Sequence, residues 1–250
     1  MVAAARDLVV VATYNERENL PRLLPEIWAA APDVDILVID DNSPDGTGQW
    51  VESQLEHEPR LKYLPRKRKL GLGTAAVAAM RYAIDHGYRF LINMDADFSH
   101  DPSVLPQLIA AMEPPNGRPV DVAIGSRYVA GGGTHGWPWY RQWMSRAVNV
   151  YARCWLRLPL RDCSSGYRCF RVATLERLEL DRVRAHGYVF HEEILWHLKR
   201  AGAVFAEIPI LFVDRQFGQS KIRLTDAFAA LWRIGQLGIC DRLSRPRTTA

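Results

Sequence analysis

Two carboxylates one residue apart, Asp95 and Asp97, follow an apolar run at 90–94. Side chains two apart on a strand share a face, and like charges held that close repel unless a cation sits between them. Hard oxygen ligands with room left for substrate phosphates suit Mg²⁺ or Mn²⁺, which would bridge a diphosphate and neutralise a leaving group. The same short pattern also occurs as a solvated strand end or a helix cap, so its context decides. His100 and Asp101 come next, and Asp101 before Pro102 reads as the cap and first position of a helix rather than as metal ligands.

A second acidic pair, Asp40 and Asp41, ends the run 35–39, where carboxylates could accept hydrogen bonds from a base or ribose. A plain turn capped by Thr47 accounts for 42–47 but not for Asp40. The segment GLGTAA at 71–76 matches the loose G-x-G-x-x-A dinucleotide pattern, yet it follows the third apolar run and the basic Arg66-Lys67-Arg68-Lys69, not the first. It is therefore read as backbone that approaches a phosphate or a neighbouring helix, and the basic run as mostly solvated surface. Arg127, Arg141, Arg146, Arg215 and Lys221 complete the chemistry-bearing set. A guanidinium fork fits phosphate oxygens, although each of these taken singly is as well explained by a surface ion pair. His191, Glu192 and Glu193 are consecutive and do not share a helix face; His191 is read as structural and Glu193 as an outer support. No Ser, His and Asp arrangement and no activated cysteine stands out.

The elements that must position these residues alternate in type. Apolar runs at 8–12, 35–39, 61–64, 90–94, 120–125 and 204–209 read as strands. Helical spacing is found from 20 to 27, to about 55, over 74–86, after Pro102, around Arg141, Arg146 and Arg153, over 191–201 and over 224–243. Such alternation implies an α/β fold with a mostly parallel, Rossmann-like sheet flanked by helices, and ligands bound off the strands' carboxyl ends, where the polar clusters lie. The texture changes at Gly131-Gly132-Gly133, which lead into Trp137-Pro138-Trp139. The last helix can pack on the body or lie in a lipid interface.

At 250 residues, 48% hydrophobic and 24% charged, the chain can bury one sizeable core, which excludes disorder. The net charge of +4, with arginines late in the chain, favours anionic ligands or an acidic membrane surface over bulk nucleic-acid binding. Four cysteines without a C-x-x-C pair, and an opening without a signal-like apolar stretch, imply a reduced, cytosolic protein. Asp226 and Arg233 interrupt the most apolar C-terminal stretch, so membrane contact is expected to be peripheral or through a partner.

The segments ATYNERENL, IDDNSPDGTG, LGLGTA, MDADFSHDP, IGSRY, SSGYRCF, HGYVFHEEI and FVDRQFGQSK run in order from Val10 to about Lys221. Together they resemble the dolichol-phosphate mannosyltransferases (polyprenol monophosphomannose synthases) of glycosyltransferase family 2. The resemblance implies a GT-A fold and an inverting transfer of mannose from GDP-mannose to a dolichyl or polyprenyl phosphate, with Mg²⁺ or Mn²⁺ as cofactor. It implies a nucleotide-sugar pocket of Ala12, Tyr14, Glu16, Asp40, Asp41, Asp95, Asp97, Arg215 and Lys221, and a metal site of Asp95, Asp97 and Ser99. Acceptor phosphate would be held by Arg127, Arg141 and Ser145, with Asp95, Asp97, Arg127 and Arg215 closest to the reaction. Ala12 departs from the proline that many relatives place before the threonine, which bears on the stiffness of that loop. One catalytic domain over 1–222 is expected, with a nucleotide-sugar half to about 130 and an acceptor half over 131–222, then an amphipathic helix and tail at 223–250. The enzyme would sit peripherally on the cytosolic face of a membrane, with or without an anchoring partner. Rival expectations are a UDP-glucose-dependent polyprenyl-phosphate glucosyltransferase or a polysaccharide glycosyltransferase of the same fold, and a non-catalytic nucleotide-binding assembly subunit.

Overall fold

The computed structural model describes residues 6–183, 189–214 and 224–243. Its first part runs β1 (Leu8–Thr13), α1 (Leu20–Ala30), β2 (Asp35–Asp40), α2 (Thr47–Gln54), β3 (Leu61–Pro65), α3 (Leu72–Asp85), β4 (Phe90–Asp95), α4 (Leu105–Ala111) and β5 (Val122–Ser126). The second part adds β6 (Gly133–His135), α5 (Trp139–Leu156), β7 (Arg168–Arg171), α6 (Val172–Leu175), α7 (Phe190–Arg200), β8 (Phe205–Pro209), β9 (Leu211–Val213) and α8 (Leu224–Leu243).

The main sheet has the order β3-β2-β1-β4-β7-β5-β8. Its pairings are parallel except those of β7, which runs antiparallel to both β4 and β5. β6 and β9 form a separate parallel pair. The central strands are buried on both faces, which is why they read as continuous apolar runs. In β1, Leu8 and Val10 join the core under α3, while Val9 and Val11 join the one under α1; β2 divides the same way, with Leu37 and Ile39 opposite Ile36 and Val38. Each such side chain contributes about 1.5–3 kcal/mol by leaving water. The helix α1 presents Leu20, Leu23, Leu24 and Ile27 to one of these cores, the spacing of a single helical face.

Of the two readings of the last helix, packing on the body holds for one side of it, while Trp232 and Ile239 on the other side stay exposed. Ile234 and Leu237 are buried, Arg233 Nη2 donates to Glu193 Oε1 on α7 at 2.6 Å, and Lys199 Nζ donates to Asp241 at 3.0 Å. Among the described residues, no helix is long and apolar enough to cross a membrane.

Candidate active site

Three neighbouring strands end together. Thr13 pairs with Asp40 and Ala12 with Asp95, so with strands about 4.8 Å apart the two acidic residues lie roughly 10 Å from each other across β1. Each strand leads into a turn containing a non-glycine residue of positive φ: Asn15 at 65°, Asn42 at 58° and Phe98 at 61°. Asparagine tolerates that region, whereas for phenylalanine it is strained, a cost of about 1–3 kcal/mol that other contacts must hold in place. The first two turns are tied to one another: the Asn15, Glu16 and Arg17 amides donate to Ser43 Oγ, Thr47 Oγ1 and Asp45 Oδ2 at 2.9, 3.1 and 3.1 Å. Thr47, expected as a cap, is instead the first residue of α2, after Gly46. Asp45 accepts from the Thr47 amide and hydroxyl at 3.0 and 2.6 Å, and although burial would raise the Asp45 carboxyl, these bonds hold it below the usual range. Tyr14 sits in this corner with Lys69 Nζ 3.6 Å above its ring, and Glu16 accepts from Asn19 Nδ2 at 2.6 Å.

Asp40 and Asp41 are both buried and both occupied. Asp40 Oδ1 accepts from Thr13 Oγ1 at 2.8 Å and Ser43 Oγ at 2.5 Å, and Oδ2 accepts from the Ser43 amide at 2.9 Å. Asp41 pairs with Arg66 and accepts from the Leu70 and Gly71 amides at 3.1 and 3.0 Å. The basic run is mostly solvated surface, as expected, with Lys67, Arg68 and Lys69 exposed; the exception is Arg66, whose side chain is 8% exposed and clamps the loop to Asp41 and Thr74. From its exposed position Lys69 reaches over the Tyr14 ring.

The Asp95 and Asp97 pair is more open. β4 ends at Asp95, so Asp97 lies in the following turn rather than on the strand face expected for it. The Asp95 side chain is 30% exposed. The Asp95 amide donates to His100 Nδ1 at 3.0 Å, and Asp97 Oδ1 accepts from the Ser99 amide and hydroxyl at 3.1 and 2.5 Å. Ser99, expected as a ligand, is thus buried with its hydroxyl turned to Asp97, which it orients. His100, read from sequence as neighbouring a cap, instead braces Asp95. Its ring is buried and stacks on Tyr167 at 4.8 Å, and burial lowers its pKa, so it is neutral with Nδ1 as acceptor. Asp101 caps the next helical turn as expected, accepting from the Ser103 amide at 2.8 Å.

Among the described residues, no three His, Cys, Asp or Glu side chains converge as a closed metal cage. Two carboxylates with solvent access are instead the donor set of a hard cation that completes its shell with water and substrate phosphates, so Asp95 and Asp97 fit Mg²⁺ or Mn²⁺.

Arginines gather on the far side of His100. The ring of Phe212 lies edge-on to His100 at 5.7 Å and to Trp137 at 5.3 Å, and the Arg127 guanidinium lies 5.6 Å from Phe212. Arg127 is almost wholly buried: Nε and Nη2 donate to the two oxygens of Asp162 at 2.7 Å each, and Nη2 also donates to Ser164 Oγ at 2.8 Å. Asp162, not singled out from sequence, is fully buried, and this fork holds its carboxyl below the usual range despite burial, which acts the other way. Arg141 stacks on Trp137 at 4.3 Å and pairs with both oxygens of Asp214, at 3.0 and 2.9 Å. Ser145 accepts from Tyr128 Oη at 2.6 Å. A continuous set of contacts thus joins Asp95 to Arg127 and Arg141 through His100, Phe212 and Trp137. Arg215 and Lys221 lie outside the described residues.

Beneath this layer is a charged cluster that the sequence hardly signals. Arg168 is buried, donating to the His191 and Cys163 carbonyls at 2.8 and 2.7 Å. Burial pushes its pKa down to about 10 and that of neighbouring Glu192 up to about 7, with Arg168 opposing the latter. His191 is kept neutral by burial, then by Arg168. Burial likewise pushes the Cys163 and Cys169 thiols up, so neither is a nucleophile.

Residues 8–179 match the sequence model of Glycosyl transferase family 2. The chain is 40% identical over 243 residues to the polyprenol monophosphomannose synthase of Mycolicibacterium smegmatis, covering 97% of this chain and 90% of that protein. It is 42% identical over 217 residues to the undecaprenyl-phosphate mannosyltransferase of Micrococcus luteus, covering 87% of each. Among solved structures it is similar to the glucosyl-3-phosphoglycerate synthase of Mycobacterium tuberculosis in complex with Mn²⁺, uridine diphosphate and phosphoglyceric acid, with a TM-score of 0.63 at 16% identity over 98% of this chain and 81% of that one. It is also similar to the mannosyltransferase PcManGT of Pyrobaculum calidifontis in complex with GDP-Man and Mn²⁺, with a TM-score of 0.57 at 18% identity over 86% and 58% of the two chains. At such identities the structural likeness speaks for the fold.

Proposed function

The chain belongs to glycosyl transferase family 2, and from that premise we propose that it is an inverting mannosyltransferase that moves mannose from GDP-mannose to a polyprenyl phosphate. The fold is of the GT-A type, a mostly parallel sheet flanked by helices. What supports the reading beyond membership is the short run of contacts between two partly exposed carboxylates and a group of arginines, since two phosphorylated reactants must meet in one cleft. An oxygen of the acceptor phosphate attacks the anomeric carbon from the face opposite the diphosphate. The new C–O bond forms as the bond to GDP breaks, and GDP leaves with the electron pair.

No dedicated base is required, because a phosphate monoester with a second pKa of about 6 is largely ionised at pH 7. Positioning and charge neutralisation supply the rate. Asp95 and Asp97 would hold Mg²⁺ or Mn²⁺, which when bound neutralises the departing diphosphate. Arg127 keeps Nε and Nη2 on Asp162 and Ser164 and offers its Nη1 edge to an acceptor oxygen, with Arg141 and Ser145 beside it. Tyr14, Glu16 and Ala12 line the corner for the nucleotide, while Asp40 and Asp41 shape that corner through the loops they tie. Arg215 and Lys221 would complete the diphosphate contacts. The lipid substrate is met at the cytosolic face of a membrane.

The test is incubation of the purified protein with GDP-mannose or UDP-glucose, a short-chain polyprenyl phosphate and Mn²⁺ or Mg²⁺, with products read by mass spectrometry. Polyprenyl phosphate mannose formed from GDP-mannose, and abolished by chelation, is the expected result. Transfer from UDP-glucose alone would replace the donor assignment, and nucleotide binding without transfer would make the chain an assembly subunit.

A further inference from the structure

The helix α5 is amphipathic in the wrong sense for a helix that meets only water. Its buried residues are Asn149, Ala152 and Leu156, whereas Trp139 is 80% exposed, Trp143 68%, Tyr140 55%, Val150 54% and Met144 52%. Positions 139, 143, 147, 150 and 154 recur at helical spacing and hold Trp, Trp, Ala, Val and Cys, with Tyr140 and Met144 alongside, so the outward stripe is the more apolar one. An exposed stripe of this kind marks an interaction surface.

α8 widens it. The two helices run side by side and parallel: Gly235 packs on Tyr151 and Trp155, Gly238 on Trp155, and the Arg242 guanidinium stacks 3.7 Å over the Trp155 ring. Ile234 and Leu237 turn to the body, and on the opposite side of α8 Trp232 is 73% and Ile239 50% exposed. The outer faces of both helices therefore point the same way.

We propose that the outward face of α5, extended by Trp232 and Ile239 of α8, docks this protein on the headgroup region of an anionic lipid bilayer. The proposal rests on the reading of the acceptor as a membrane-embedded polyprenyl phosphate and names the surface by which the enzyme reaches it. Three observations favour lipid over a second copy or a protein partner. The exposed large residues include three tryptophans and a tyrosine, the side chains that settle at the membrane–water boundary. α5 holds Arg141, Arg146 and Arg153 and no acidic residue, and the exposed Arg146 and Arg153 border the stripe on one side, a charge pattern complementary to anionic headgroups. Finally, Arg141 and Ser145, proposed to hold the acceptor phosphate, lie on the same helix, so docking α5 in the interface brings that pair to headgroup level.

Flotation of the full-length protein with phosphatidylglycerol-containing and with pure phosphatidylcholine vesicles tests this, alongside turnover on a water-soluble short-chain polyprenyl phosphate. The wild type is expected to float with anionic vesicles, less with neutral ones. A Trp139→Ser/Trp143→Ser/Met144→Ser variant should partition roughly ten-fold more weakly while keeping its melting temperature and its turnover on the soluble acceptor. Trp232→Ser/Ile239→Ser should show a smaller loss in the same direction, and serves if the triple variant folds poorly. Flotation of both variants at the wild-type level would overturn the proposal, as would a wild type that binds neither vesicle. A sedimentation profile in which the wild type is a dimer and the triple variant a monomer would assign the face to a second copy instead. Absence of soluble-acceptor turnover in the wild type, with the flotation pattern intact, would remove the mannosyltransferase reading and leave the lipid-docking surface standing.

Discussion

At the end of β2, Asp40 and Asp41 accept hydrogen bonds from Thr13, Ser43, Arg66, Leu70 and Gly71 and are shut away from solvent. Two strands over, at the end of β4, Asp95 keeps a side chain 30% exposed, and it is its amide, not its carboxylate, that His100 holds. Both pairs stand at the same sheet edge and look alike in sequence. The difference lies in the donors at hand: Asp40 takes Thr13 and the Ser43 turn and Asp41 takes Arg66 and the Leu70 and Gly71 amides of the loop after β3, whereas Asp95 is followed by a strained turn whose donors serve Asp97. One pair builds the site, and the other is left with capacity to bind something brought to it.

The largest effect that this contrast predicts is on catalysis. Asp95→Ala or Asp97→Ala should lower kcat/KM by roughly 10³-fold, several kcal/mol of lost charge stabilisation, with a melting temperature close to wild type; loss of folding in step with activity would erase the distinction between the pairs. Next in size, Asp40→Ala strands the Thr13 and Ser43 hydroxyls and the Ser43 amide. A cost of about 3 kcal/mol is expected, seen as a drop of roughly 6–12 °C in melting temperature, and a thermally unaffected variant would show that Asp40 belongs with the ligand-facing pair.

The smallest effect concerns a third kind of carboxylate, Glu192, sealed in but facing the buried Arg168. Its folded pKa of about 7 stands above the ordinary 4.5 because of burial. Below about 4.5 it is protonated in both states, and as pH rises towards 7 the unfolded chain ionises first, so its contribution to stability falls over that window. Wild-type stability should therefore decline relative to Glu192→Gln between pH 4.5 and 7, by about 2–3 kcal/mol. His191 and His100, depressed by burial, give the opposite slope, but they are common to both proteins and cancel in the difference. Parallel pH profiles for the two proteins would mean that Glu192 is ionised and fully paired.

Much of this was legible in the residues. Strands with long β-branched runs, such as β1 and β2, declare themselves because burial on both faces demands apolar residues throughout, and the limits of α8 followed from its spacing. β7 did not: its four residues include two arginines and two cysteine or phenylalanine positions, too short for a period, and only its neighbours β4 and β5 make it a strand. The three-residue β6 and β9 are hidden for the same reason. Acidic and basic residues were visible as types, but which of them face a ligand depends on partners distant in sequence. Asp162 lies 35 residues from Arg127, and Arg66 lies 25 from Asp41. His100 was overlooked because its work is done by one ring nitrogen on a backbone amide, which leaves no pattern in the chain.

The placement of β7 also bears on how the molecule is made. A chain emerging from the ribosome has β4 and β5 complete by Ser126, yet the strand that must lie between them ends at Arg171. At about 5–20 residues per second, translation leaves that gap open for roughly 2–9 s. Throughout, two strands carrying Phe90, Ile92, Ala123 and Ile124 present unpaired edges, the condition under which nascent sheets stick to one another. Soluble yield should therefore respond to chaperone supply and to codon choice between 126 and 171 more than to changes at the termini.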